Sequence, residues 1–75
     1  MTDANAQRLI RLDRAVQALG TAHYRLGVAE VTLELAVGEP EGTLLTRSRR
    51  TAILDLAAAQ NEYGEALADV RGTFL

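Results

Sequence analysis

The feature that most constrains the fold is a single cluster of helix-breaking residues, Gly38-Glu39-Pro40-Glu41-Gly42, near the middle of a 75-residue chain. Proline lacks the N–H that a helix needs and disfavours α geometry at the residue before it. Gly38 can take the left-handed conformation that ends a helix, and Thr43 can cap the next one. We therefore predict one helical-hairpin domain over residues 1–75, with helices at about 4–37 and 44–73 and a turn at 38–43.

Both segments around this break carry apolar residues at helical spacing. Steps of three and four run through each segment, whereas a half-buried β-strand would need strict alternation. Such spacing is typical of the seam of a coiled coil, where side chains of one helix fit between those of the other. The predicted seam consists of Leu9, Leu12, Val16, Leu19, His23, Leu26, Glu30, Leu33 and Val37, then Ile53, Leu56, Gln60, Tyr63, Leu67, Val70 and Phe74.

The distribution of charge predicts that the two helices are antiparallel. A short break favours antiparallel neighbours, and folding near Pro40 places residue i opposite residue 81 − i. This rule brings unlike charges together at both ends of the hairpin. The predicted groups are Arg8, Arg11 and Arg14 with Asp69, Glu65 and Glu62, and Glu30 and Glu34 with Arg47, Arg49 and Arg50. An antiparallel pair of separate chains would satisfy the same pattern, so the charges predict orientation only.

A second apolar stripe in the first segment predicts that the hairpin does not stand alone. The stripe consists of Tyr24, Val28, Val31 and Leu35. A helix that is apolar on more than one side is normally buried on more than one side, and a lone hairpin has no third element to cover it. We expect these four residues to form a protein interface, either in a four-helix bundle of two hairpins or in a larger assembly.

Composition excludes several functional classes. The absence of cysteine and the single histidine exclude a disulfide framework, a thiolate zinc site and a multi-histidine metal site. No apolar run approaches the roughly 18 residues that span a bilayer, and the first residues lack the apolar core of a secretory signal. We therefore expect a cytoplasmic protein without a membrane span.

The polar residues show no arrangement typical of catalysis. His23 lies on the predicted seam opposite Gln60, which favours a polar layer that fixes the helix register over a ligand or a catalytic base. The glutamates lack the Glu-x-x-His spacing of carboxylate-bridged metal bundles. We expect no catalytic residue, no metal ligand and no cofactor.

The densest basic run is Arg47-Ser48-Arg49-Arg50, at the start of the second predicted helix. Arginines near a helix N-terminus can contact phosphate, so Arg47, Arg49 and Arg50 are candidate anion or nucleic-acid contacts. No aromatic residue interleaves with the run, and the net charge of the chain is −2. Neither property is typical of a nucleic-acid binder, so this reading is the least favoured.

Together these patterns favour a non-enzymatic protein–protein interaction module, of the kind found among accessory proteins of phages and bacteria. It would act as an assembly subunit or adaptor through the exposed apolar face of the first helix. The alternative is a small regulator or inhibitor that lays the same helix face into a groove of one partner protein.

Overall fold

The described part of the chain consists of two long helices that lie side by side. A computed structural model describes residues 3–35 and 42–74, with side chains for 3–35 and 46–73. Helix α1 spans Asp3–Leu35 and helix α2 spans Gly42–Phe74. They form an elongated unit with Cα extents of 56 × 15 × 14 Å. The prediction of an all-α fold with two helices packed against each other is confirmed.

The helix bounds lie close to those that the sequence predicts. Helix α1 begins at Asp3, one residue early, and helix α2 already includes Gly42, which we expected in the turn. Alanine is the strongest helix former and occurs throughout both helices, which favours the helical state over these lengths. The predicted turn at 38–41 lies outside the described residues, as do Val37 and the side chains of Thr43 and Phe74.

Ion pairs between the helices show that α1 and α2 are antiparallel. At one end, Arg8 Nε lies 3.5 Å from Asp69 Oδ1, and at the other, Arg49 Nη2 lies 3.5 Å from Glu30 Oε1. These charges are among those predicted to meet, but each pair is offset by two to four residues from the predicted register. Arg11 also pairs with Glu62 and Glu65, as predicted. The remaining predicted charges, Arg14, Glu34, Arg47 and Arg50, make no ion pair with another described residue.

The seam between the helices differs from the prediction at about half of the predicted positions. The predicted seam residues that lie half-buried, as expected, are Leu12, Leu19, Leu26, Leu33, Leu56, Tyr63, Leu67 and Val70. The positions between them are filled by the alanine seam, which consists of Ala15, Ala22 and Ala29 of α1 and Ala52, Ala59 and Ala66 of α2. Each of these alanines lies one residue before a position that we predicted to be inside. The predicted seam residues that are exposed instead are Leu9, Val16, His23, Glu30, Ile53 and Gln60.

The cost of burying polar groups accounts for this difference. The predicted seam would have placed His23, Glu30 and Gln60 between the helices, where each would lose its contact with water. Alanine at the same depth has no polar group to satisfy and lets the two backbones come close together. The hairpin therefore keeps its leucines inside and turns the polar side chains outwards.

The alanine seam leaves the hairpin with a thin core. The register sets Leu12 level with Ala66, Leu19 level with Ala59 and Leu26 level with Ala52, so a large side chain meets a small one in each layer. Among the described residues, the only buried side chains are Ala15, Ala22, Ala52 and Ala66. Much of the apolar surface of the described helices therefore stays on the outside of the hairpin.

Candidate protein-interaction site

The apolar stripe predicted as an interface is exposed on the structure, and we call its four residues the outer patch. Tyr24, Val28, Val31 and Leu35 follow one another at steps of four, three and four along α1, so they share one face of that helix. Their exposed fractions are 74%, 47%, 56% and 82%. The structure thus brings all four predicted residues together on a surface that no other described residue covers.

The outer patch has a concave surface. Tyr24, Val28 and Val31 line a shallow hollow together with Gly27 and Thr32, because the glycine has no side chain to fill the space between its neighbours. A hollow lined mostly by apolar side chains can accept an apolar side chain from another protein.

The outer patch continues into an open groove between the two helices. This groove has a volume of about 550 Å³, and Tyr24 and Val28 form part of its α1 wall. Ser48, Thr51 and Asp55 supply hydroxyl and carboxylate groups from α2. A partner that covers the patch can therefore also form hydrogen bonds with the second helix.

A second apolar surface lies on another side of the hairpin, and sequence reasoning missed it. We call it the flank face, and it consists of Leu9, Val16, His23, Ile53, Gln60 and Leu67. Except for Leu9, which follows Arg8, each of these residues comes directly after an alanine of the seam. The signal that could have revealed this face is the recurrence of alanine every seven residues in both segments.

His23 lies on this flank face, exposed to solvent, so the predicted polar layer inside the seam is wrong. Gln60, its expected partner in that layer, is exposed as well. Across the described ranges, no cluster of three or more histidine, aspartate or glutamate side chains is arranged to hold a metal ion.

Two of the three candidate anion contacts share one face of α2, and the third is paired with α1. Arg49 points towards α1 and pairs with Glu30, with 3.5 Å between nitrogen and oxygen. Arg47 and Arg50 are three residues apart, so they share an exposed face of α2, and neither forms an ion pair with another described residue. Two of the three guanidinium groups can therefore contact one anion, whereas Arg49 is already paired within the chain.

The side of the hairpin opposite the flank face is held by an ion-pair network around Arg11. Arg11 donates from Nε to Glu62 Oε1 at 2.7 Å and from Nη2 to Glu62 Oε2 at 3.2 Å, a two-pronged contact. Glu65 and Asp69 lie 3.4 and 3.9 Å from the same guanidinium group. The hydrogen bond from Arg11 lowers the pKa of Glu62 below its ordinary value of 4.5, and the same contact raises the pKa of Arg11.

This network predicts a specific contribution to acid sensitivity. Because the pKa of Glu62 is lowered in the folded state, its ion pair stabilises the hairpin above pH 4.5 and is lost as the pH falls through the lowered value. We expect Glu62→Gln to melt at a lower temperature than the wild type at pH 7 and to lose less melting temperature on acidification to about pH 3. Circular dichroism melts at the two pH values measure both effects.

The matched control for this experiment is Asp55→Asn. Asp55 is exposed on the same helix, lies away from the flank face and forms no ion pair with another described residue, so its removal should leave the acid sensitivity of the wild type unchanged. Equal behaviour of the two variants would show that the contact between Arg11 and Glu62 does not stabilise the folded state.

No protein family, curated protein or solved structure matches this chain. Neither α1 nor α2, over the residues described, has an apolar stretch long enough to cross a membrane. The functional argument therefore proceeds from the surfaces of the hairpin itself.

Proposed function

We propose that this chain is a non-enzymatic protein–protein interaction module, an assembly subunit or adaptor that binds another protein through the outer patch. The observation that supports this most directly is the exposure of four large apolar side chains on one helix face. Monomeric soluble proteins rarely expose contiguous apolar patches of this kind without a partner. Fully burying such a side chain contributes about 1.5–3 kcal/mol, so four of them supply enough free energy for specific association.

The shape of the patch supports recognition of an apolar helix or loop. Tyr24 offers an aromatic ring at the edge of the hollow, and tyrosine is among the residues that contribute most to binding energy at interfaces. The hydroxyl and carboxylate groups of the adjoining groove provide hydrogen bonds at the rim of the contact. This combination of an apolar centre with a polar edge is the usual composition of a protein interface.

The test is Val31→Asp, which places a charge in the centre of the outer patch. Val31 is exposed, so the substitution should leave the helical circular dichroism signal unchanged, while proteins captured by the tagged wild-type chain from its host are lost. Quantitative mass spectrometry of the captured proteins measures this loss. Gln7→Asp is the control, since Gln7 is exposed on the same helix about 36 Å from Val31 and should retain the same partners. A variant at Val31 that captures the wild-type set would contradict the proposal.

A further inference from the structure

The flank face has its own apolar centre, separate from the outer patch. Leu9, Val16 and Ile53 are exposed by 37%, 50% and 39%, and Leu67 is half-buried beside them. These side chains come from both helices and meet on one side because the helices are antiparallel. Arg11 and Glu62, which precede seam residues instead of following them, meet on the opposite side. The flank face is therefore formed by residues of both helices, whereas the outer patch belongs to α1 alone.

Small residues border the flank face on both helices. Gly20 and Gly27 lie one helical turn after Val16 and His23, and Gly64 lies one turn after Gln60. A Cβ atom at any of these glycines would meet nothing within 4 Å, so packing within the hairpin does not explain them. Glycine lowers helix stability relative to alanine, and its use at the edge of an apolar face is explained if another backbone comes close there.

The charges at the same border are segregated by helix. On α1 the border carries Asp13 and Glu34, and on α2 it carries Arg50 and Arg71. None of these four residues forms an ion pair with another described residue. The opposite side of the hairpin behaves differently near one end, where Arg11 pairs with Glu62, Glu65 and Asp69 of the same chain. The flank side instead presents an acidic edge on α1 beside a basic edge on α2.

We propose that a second copy of this chain docks on the flank face, with both turns at the same end and α1 of each copy beside α2 of the other. In this arrangement the acidic edge of one copy lies along the basic edge of the other on both sides of a two-fold axis. Every pair of neighbouring helices in the resulting four-helix bundle is antiparallel. The opposite arrangement, with the turns at opposite ends, would place acidic edge on acidic edge and basic edge on basic edge.

The dimensions of the hairpin are sufficient for such a dimer. One long side measures 56 Å by 15 Å between Cα atoms, and a stable interface needs roughly 800 Å² from each partner. The apolar centre of the flank face, with glycines and charges at its edges, matches the anatomy of an interface core and rim. The outer patch remains outside this contact, so the inference does not rest on the proposed function.

The first test measures the mass of the full chain in solution. Sedimentation equilibrium at micromolar concentration should give twice the monomer mass of 8.1 kDa. Val16→Asp should raise the dimer dissociation constant at least about 100-fold while keeping the helical signal, because it places a charge in the apolar centre. Val31→Asp, on the outer patch, should keep the dimer. A monomeric wild-type chain overturns this inference, and so does a dimer that survives Val16→Asp or dissociates on Val31→Asp.

The second test uses the glycines, because substitution there separates helix stability from association. Gly64→Gln should weaken the dimer about tenfold, although glutamine favours the helical state of each chain. Gly72→Gln is the matched control, since Gly72 also has open space around it but lies away from the flank face. Equal dissociation constants for the two variants would show that the second copy does not come close to the backbone at Gly64.

The third test addresses the orientation of the two copies. Reversing the basic edge with the double change Arg50→Glu and Arg71→Glu should weaken the dimer about tenfold at low salt. Mixing this variant with a second one that carries Asp13→Arg and Glu34→Arg should restore association, since unlike edges face each other again. If reversal of the basic edge leaves association unchanged or strengthens it, the proposed orientation is wrong.

Discussion

Replacing Ala66 with leucine is expected to lower the free energy of unfolding by about 1–3 kcal/mol, because extra atoms in a filled site force side chains and backbones apart. Ala66 is fully buried, and the register sets it level with Leu12. A leucine there would place two large side chains in a layer built for one. The stability of a domain of this size is on the order of 4–11 kcal/mol, so the loss is a substantial fraction of the total.

Urea unfolding followed by far-ultraviolet circular dichroism measures this effect. All variants must be compared at one protein concentration, since association would shift the apparent stability. Ala68→Leu supplies the control: it makes the same chemical change two residues later, at an exposed position of the same helix. Its free energy of unfolding should stay within about 0.5 kcal/mol of the wild type. If both variants unfold at the same urea concentration as the wild type, Ala66 does not lie at a close helix contact.

The presence of two helices and their direction could be predicted because each has a local cause. The glycines and the proline at 38–42 disfavour a continuous helix through the middle of the sequence, and alanine-rich segments favour helix on both sides. The direction follows from charges that are attractive in only one orientation. Arg8 with Asp69 and Glu30 with Arg49 confirm that argument.

The register of the seam could not be settled by spacing alone. The predicted seam and the observed seam contain the same leucines, such as Leu12 and Leu19. At the positions between these leucines, the observed seam uses the residue immediately before the predicted one. The predicted seam, through Val16 and His23, contains larger apolar residues than the alanine seam, and for this reason the sequence pattern favours it as the interior. The stripe through Ala22 avoids burying polar side chains, and this energetic balance depends on how closely the two helices can approach.

The candidate interaction surfaces were predictable in part for the same reason. The outer patch at Tyr24 and Val31 was found because it lies off both stripes and so stays outside whichever one forms the seam. The flank face could not be predicted, because the spacing places Val16 and Ile53 on the predicted seam. In the observed seam these residues lie on the surface. The wrong register is therefore also the reason why this surface could not be predicted.

The half-buried leucines of the seam should contribute more to stability than the exposed leucine beside them. We expect Leu56→Ala to lower the free energy of unfolding by about 2 kcal/mol, near the lower end for leucine-to-alanine changes, because the side chain is only half-buried. Urea unfolding at a fixed protein concentration measures the change.

Leu54→Ala is the matched control, because it removes the same atoms from the same helix two residues earlier. Leu54 is 65% exposed, so its loss should cost no more than about 0.5 kcal/mol. The difference between the two variants cancels the effect of leucine-to-alanine substitution on the unfolded chain and on helix propensity, and it leaves the value of burial in the seam. Since the only buried side chains among the described residues are alanines, the seam leucines must supply much of the apolar stabilisation within the hairpin. Equal losses at positions 54 and 56 would mean that both leucines are buried to a similar extent in solution, which contradicts the seam described above.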